Sequence, residues 1–436
     1  MGIRRFGRLR FLGLCDLSNV LSVKPIADHG LDRYDGYRGG LRALFLLARF
    51  IFSKCLRKVF VAYEYGVSYF CSRIFSSFRE RYQEMMAPRK ILFISFGDLS
   101  TTGCIRASQL ALHLGRLGWD AQVAIPDNPS NRAFKHSEES NRFFYDPGAR
   151  KILSSLGGIL RQERPDFVHM LNPKEKAMML STIHQRQKFI FDWEDWTTFA
   201  EQNSILRWYK QIRDRWLIRR ASAVITASSW LSRYILSRFA KDSLYLPYAC
   251  LPKEFPNPGF EGMQPVAIGM GSLHPNWDHD LLVEAAGVLR GRGQEVPIRW
   301  IGKGAELERC EARVAELGLE KFEFPGYLDW EPMLRQLREA HCLVFPIRRK
   351  ELNLARCPFK CFQFAQAKRP VITSDVGEVR SILGDHAVYV EPTPEALADA
   401  IYETMLRGRQ PDVAYDLSKH TWEQRAVVLS EHLQAI

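Results

Sequence analysis

From residue 89 onward the chain alternates between short apolar runs and longer stretches in which apolar residues recur at helical spacing. The runs "KILFISFG", "DAQVAIP", "DFVHML", "KFIFDW" and "ASAVITAS" are rich in Val, Ile, Leu and Phe, as strands buried on both faces must be. "RASQLALHLGRLG" carries the pattern of an amphipathic helix, and further helices fill the gaps between the later runs. A proline-rich stretch over 246–265, "LPYACLPKEFPNPGFEGMQP", interrupts this rhythm and reads as an interdomain linker. The alternation then restarts with the strands "VAIGMGS", "PIRWIGKG", "FEFPGY", "CLVFPI", "PVITS" and "AVYVE", and with helices over 278–290, 306–317, 331–340 and 394–406. A short helix opens at Pro358, and a last amphipathic helix closes the chain. The fold class is therefore α/β, with two doubly wound domains over 89–255 and 256–415, a terminal helix over 416–436 that returns to the first domain, and an extension over 1–88. Ligands of such sheets bind where loops leave the carboxyl ends of the strands.

Charge changes this picture only at the amino end. The formal net charge is +12, and residues 1–88 alone hold 15 basic and 7 acidic side chains, a surplus of eight. Between residues 40 and 84 the cations are interleaved with large apolar side chains such as Phe45, Phe50, Phe60, Tyr69 and Phe78. That mixture suits a helix lying in the headgroup zone of an anionic membrane; the alternative is a helical extension packed on the protein's own body. Nucleic acid is excluded as a partner because no recognised binding motif accompanies the charge. No apolar run reaches the length of about 18 residues that spans a bilayer. The start "MGIRRFGRLRFLGLC" is too short in its apolar part for a secretory signal. The 9 cysteines form no CxxC pair and no Cys/His ladder, which points to a reduced compartment without structural zinc. The reading is a cytoplasmic protein, peripheral on the inner face of the membrane.

"TTGCIRASQLALHLGRLGWDAQVAIP", "ASAVITASSWLSRYI", "LPYACLPKEF", "GMGSLHPNWDHDLLVEAAGVL", "WIGKGAELE", "FEFPGYLDWEPMLRQLREAHCLVFPI" and "AKRPVITSDVGEV" occur in an order that resembles the family 4 glycosyltransferases of GT-B fold over residues 89–436. The resemblance implies two Rossmann-like domains, a nucleotide-sugar donor held by the second, a saccharide or lipid-linked acceptor on the first, retention at the transferred carbon, and no cofactor or metal. The family's two glutamates, eight apart, fall here on Ala355 and Gln363, and its usual Arg and Lys after the first donor-domain strand fall on Ser272 and Trp277. Arg356 and Lys360 stand instead at the start of the short helix, where each cation opposes the helix dipole by roughly 0.3–1 kcal/mol. A nucleotide diphosphate turns that arrangement favourable, because backbone N–H groups and two cations then face one anion. The alternatives are a non-catalytic nucleotide-sugar-binding or assembly protein and a nucleotide-sugar epimerase.

Around this pair, Gln363 offers an uncharged amide to a ribose, and Asn353, Ser272, His274 and Asn276 offer hydrogen bonds to the donor. Tyr327 edges the nucleobase, while Gly377 and Glu378 form the turn the resemblance puts at the donor's sugar or phosphates. In the first domain Gly103, Thr102 and Arg106 form a strand-to-helix turn directed at the transferred sugar or acceptor. "FDWEDWTTF" sets Asp192, Glu194 and Asp195 around Trp193 and Trp196. Indole faces stack on pyranose rings and carboxylates take hydroxyl protons, so this stretch reads as an acceptor site with Asp195 or Asp192 as base or orienter. The alternatives are a structural helix cap with buried tryptophans and a divalent metal site, which the resemblance does not imply.

Overall fold

The computed structural model describes residues 88–99, 101–133, 142–250, 253–256 and 264–436; the expected membrane contact over 40–84 lies outside them. The apolar runs of the first half become β1 (Lys90–Ile94), β2 (Asp120–Pro126), β3 (Arg142–Tyr145), β4 (Phe167–Leu171), β5 (Lys188–Trp193), β6 (Ala223–Thr226) and β7 (Leu244–Tyr245). Between them lie α1 (Thr102–Arg116), α2 (Pro129–Ala133), α3 (Ile152–Glu163), α4 (Glu175–Ile183), α5 (Ser204–Arg220) and α6 (Ser229–Phe239). Every pairing is parallel, in the order β3-β2-β1-β4-β5-β6-β7. The chain winds outward from β1 to β3, then returns to start β4 on the other flank of β1. The reversal opens a crevice beyond the carboxyl ends of β1 and β4.

The second half repeats the plan with β8 (Ala267–Met270), β9 (Ile298–Ile301), β10 (Phe322–Gly326), β11 (Cys342–Phe345), β12 (Val371–Thr373) and β13 (Val388–Tyr389). Its helices are α7 (Asp280–Gly291), α8 (Leu307–Glu316), α9 (Trp330–Glu339), α10 (Glu351–Leu354), α11 (Phe359–Gln366), α12 (Val379–Leu383) and α13 (Pro394–Leu406). The all-parallel order β10-β9-β8-β11-β12-β13 puts the second switch point between β8 and β11. Both halves are Rossmann-like, the two-domain plan read from the sequence. Helix α11 starts at Phe359 rather than Pro358, which caps it, so Lys360 still stands in the first turn. Helix α12 follows Glu378, where a helix start is expected. Helix α3 fills a stretch read as a loop, its pattern diluted by Gly157 and Gly158. Strand β3 and helices α2 and α10 have no counterpart among the predicted elements. Each of these three has only four or five residues, too few to show a period.

The last helix, α14 (Trp422–Ala435), crosses back to the first domain. Its Leu429 and Leu433 share an apolar cluster with Leu110 and Leu114 of α1. Trp119 Nε1 donates to Ser430 Oγ at 2.9 Å, and Arg89 donates to the Leu433 carbonyl at 2.9 Å.

Candidate active site

On the second domain's wall, two loops meet at the β8/β11 switch point. The loop after β8 carries Gly271 to Trp277, and the loop after β11 leads through α10 to Arg356 and the start of α11. Arg356 lays its guanidinium on the Trp277 indole, 3.9 Å from the ring centroid, and is largely buried. Its Nε has no hydrogen-bond partner. Burial lowers its pKa, with the charges of Asp195 and Asp278 acting the other way. Lys360 reaches the same place and donates to the Met270 carbonyl at 2.9 Å. Burial, helped by the Arg356 charge, pushes its ammonium down to about 7. Only glycine fits at 271: its φ is +144°, and a Cβ there would stand 2.1 Å from the Lys360 Nζ. Two cations thus share a desolvated site with no carboxylate on either.

Trp277 was read from the sequence only as the position where a usual cation is missing. In the structure it is the shelf that holds the cation supplied from elsewhere. Asp278 beside it anchors the loops: it accepts from Asn353 Nδ2 at 2.7 Å, Lys350 Nζ at 2.9 Å and the Arg348 N–H at 3.0 Å. Asn353 is fully buried, with its Nδ2 committed to Asp278 and to the Arg348 carbonyl and only its Oδ1 left without a partner. Gly377, with φ +60°, is approached by the Asn353 carbonyl, 2.9 Å from where a Cβ would stand, so its small size serves loop packing. Glu378 leaves the donor list. Its carboxylate accepts from the Ser229 N–H and from the Tyr245 hydroxyl, both at 2.6 Å, and so caps α6 of the other domain. Gln363 is buried on α11, Ser272 and His274 are exposed on the β8 loop, and Asn276 is partly exposed beside them. Tyr327 is exposed, with the Lys303 ammonium 5.0 Å from its ring centroid.

The first domain's wall is built differently. Arg106 and Asp192 are wholly buried and paired, Nε to Oδ2 at 2.8 Å and Nη2 to Oδ1 at 3.2 Å. His169 Nε2 lies 3.0 Å from the same carboxylate, and Arg106 also donates to the carbonyls of Leu246 and Pro247. A carboxylate with two partners and no solvent takes no proton from an acceptor, so Asp192 and Arg106 are structural rather than catalytic or acceptor-binding. Trp193 and Trp196 likewise offer no face to a sugar: they are buried, stacked on each other with centroids 5.5 Å apart, and enclosed with Phe199, Tyr234 and Phe239. The alternative of a structural turn with buried tryptophans describes that pair.

Glu194 is buried at the same strand end, and Asp195 beside it is partly exposed. Burial pushes the Glu194 carboxyl up to about 8, so it holds a proton at neutral pH. It accepts from the Tyr248 hydroxyl at 2.5 Å and the Asn172 amide at 3.3 Å. Its other oxygen lies 3.0 Å from where a Gly103 Cβ would stand, so this glycine makes room for Glu194 at the start of α1. Thr102 is exposed beside it. The Asp195 carboxyl is raised by burial and lowered by the charge of Arg356 across the cleft. Asn172 was not singled out from the sequence. It has φ +45°, and its Oδ1 accepts from the Glu194 and Asp195 N–H groups at 3.0 and 3.3 Å. The signal was an Asn between a strand end and Pro173, since Asn tolerates the left-handed conformation better than other side chains. Among the described residues no group of three or more His, Cys, Asp or Glu is arranged to hold a metal.

Two family models match the chain: "Glycosyl transferase 4-like domain" over residues 104–248 and "Glycosyl transferases group 1" over residues 264–406. Among solved structures it resembles Anabaena HepE in complex with UDP and glucose, at 13% identity and TM-score 0.64, covering 80% of this chain and 100% of that one. It resembles sucrose-phosphate synthase from Thermosynechococcus elongatus at 17% identity and TM-score 0.59, over 80% and 94%. It also resembles the lipopolysaccharide outer core galactosyltransferase WaaB at 14% identity and TM-score 0.55, over 79% and 99%. No curated protein matches the chain by sequence. The two matched models in this order, on two Rossmann-like domains whose switch points face one cleft, make the chain a family 4 glycosyltransferase of GT-B fold.

Proposed function

We propose that this glycosyltransferase takes its sugar from a nucleotide-diphosphate donor and passes it, with retention, to a saccharide or lipid-linked acceptor at the inner face of the membrane, without a cofactor. The observation that carries the reading is the pair Arg356 and Lys360, two cations desolvated at a switch point that feel the charges of Asp195 and Asp278 without forming a salt bridge to either. Burying such charges is costly unless an anion completes the site, and a diphosphate has the charge and the acceptor oxygens to do so. As the bond from the sugar carbon to the phosphate oxygen breaks, the diphosphate keeps the electron pair and its growing charge is met by both cations. The acceptor hydroxyl attacks the same face and gives its proton to the departing phosphate oxygen. Asp195 and the protonated Glu194 sit on the facing wall, where they orient that hydroxyl.

HepE, seen with UDP and glucose, makes a uridine donor the first to test. The test is to offer a panel of UDP- and GDP-sugars with and without a lipid-linked acceptor and to measure free nucleotide and product anomer. Acceptor-dependent release of UDP or GDP with a retained anomer supports the reading. Binding without release makes the protein a non-catalytic receptor, a reading favoured by Ala355 at the position of a family glutamate. Interconversion of the free nucleotide sugar makes it an epimerase.

A further inference from the structure

On α5, side chains that belong in a core stand in solvent. Ile205 is 77% exposed and Trp208 63%, with Leu206, Tyr209 and Ile212 exposed beside them. Ile205, Trp208, Tyr209 and Ile212 recur at the spacing that puts residues on one stripe of a helix. The opposite face, with Arg213, Asp214, Leu217 and Ile218, packs on the domain. The stripe starts at a capped helix end, where Asn203 accepts from the Ile205 and Leu206 N–H groups at 3.0 and 3.1 Å. Farther along, the outer face turns cationic with Arg215 and Arg219, and Arg207 is exposed on the flank. The helix's one acid, Asp214, is buried against Arg213 at 2.7 Å. The neighbouring acids Glu175 and Glu201 are taken by Arg213 and Lys210, at 2.8 and 2.6 Å. The adjoining α4 adds exposed Met179 and Ile183.

We infer that α5 is a docking face for an anionic lipid bilayer, lying in the headgroup zone with its apolar stripe inserted and its arginines on lipid phosphates. Charge selects this occupant over the others. A second copy in a two-fold contact would set one cationic helix against another. The chain's own residues 1–88, with a surplus of eight positive charges, would meet the same repulsion. A nucleic acid would satisfy the arginines but leave five large apolar side chains in water. Placement adds a reason: α5 begins just past Asp195 and the 3₁₀ turn Thr197–Ala200, so a docked helix brings the acceptor side of the cleft to the bilayer. The inference rests on the proposed membrane-facing acceptor and assigns its contact surface to α5 rather than to residues 40–84 alone.

The experiment is co-sedimentation of the full chain with phosphatidylcholine vesicles, with and without one-third phosphatidylglycerol, while UDP affinity is followed separately. Trp208→Glu with Ile212→Glu is expected to lower partitioning onto the anionic vesicles by about tenfold or more and to leave what remains strongly salt-dependent, and Arg215→Glu with Arg219→Glu to lower it as much but with a shallower salt dependence. Leu406→Glu, an equally exposed apolar position on α13, is expected to leave partitioning unchanged. UDP affinity should be the same in all variants, so loss of donor binding tests the proposed function and loss of vesicle binding tests this inference. Partitioning of both α5 double variants equal to that of the unmodified chain overturns it. So does a dimer that dissociates in Trp208→Glu with Ile212→Glu while vesicle binding persists, or retention of the unmodified chain on a polyanion column without binding to vesicles.

Discussion

The two walls of the cleft each carry buried cations, and they differ in what completes them. On the first domain Arg106 has Asp192, His169 and two backbone carbonyls around it, so the network is satisfied within the protein. On the second domain Arg356 has an indole face and an unpartnered Nε, and Lys360 has one carbonyl. A satisfied buried charge contributes to the fold, whereas an unsatisfied one costs stability until a ligand arrives. The comparison teaches that burial alone does not mark a site; the missing counter-charge does.

The largest expected effect comes from breaking the satisfied wall. Arg106→Ala strands Asp192 in the interior and is expected to cost about 3–5 kcal/mol of stability, read by denaturant or thermal unfolding. Nucleotide affinity of the protein that remains folded should be unchanged. A small loss of stability with a large loss of nucleotide affinity would mean that the walls have been assigned the wrong way round. Breaking the other wall should invert the pattern. Arg356→Ala is expected to weaken UDP or GDP binding by about 1.5–3 kcal/mol in titration calorimetry, the range for hydrogen bonds to charged groups, and to leave unfolding nearly where it was, because relief of the desolvated charge is offset by the lost stacking on Trp277. Unchanged affinity would remove the main support for the donor reading.

The contrast also explains what was legible in the sequence. Long apolar runs and helical periods made the two parallel sheets with their covering helices legible, because burial on both faces of a parallel strand writes itself into composition. The cations of the second wall were legible because they stood at a helix start, where local electrostatics disfavours them. The role of "FDWEDWTTF" was not, since which of three carboxylates faces a cleft depends on partners far along the chain: Arg106 lies 86 residues from Asp192. Asn172, Tyr248 and the shelf under Arg356 were hidden for the same reason. Glu378 was legible as a turn residue but not as the cap of a helix 149 residues away.

That cap offers a smaller test, because Glu378 joins the two walls without belonging to either. Glu378→Ala removes the acceptor for the Ser229 N–H and the Tyr245 hydroxyl, and is expected to cost about 1–2 kcal/mol of stability. Small-angle scattering without nucleotide should show a larger radius of gyration for the variant. If scattering and unfolding are both unchanged, the contact does not hold the domains together.

Lys360 gives the smallest and most specific effect, because its titration reports the missing counter-charge directly. Its folded pKa of about 7 lies below its ordinary value of 10.5, so between those values the unfolded chain binds more protons than the folded one. The stability of the unmodified protein must therefore rise with pH across that window and be lowest, and level, below it. Lys360→Met removes the buried charge but leaves the Met270 carbonyl unpaired, so a net gain of about 1 kcal/mol in ligand-free stability is expected at pH 7, shrinking as pH rises toward 10. Binding should show the opposite dependence. A diphosphate beside Lys360 holds its proton on, so the complex takes up a proton above pH 7 and affinity falls by up to about tenfold per pH unit there, where the phosphate itself is already fully ionised. In Lys360→Met that slope should vanish, and calorimetry in two buffers of different ionisation heat should show the proton uptake disappear with it. Parallel pH profiles in the two proteins would mean that Lys360 already has its counter-charge, and the second wall would then be as complete as the first.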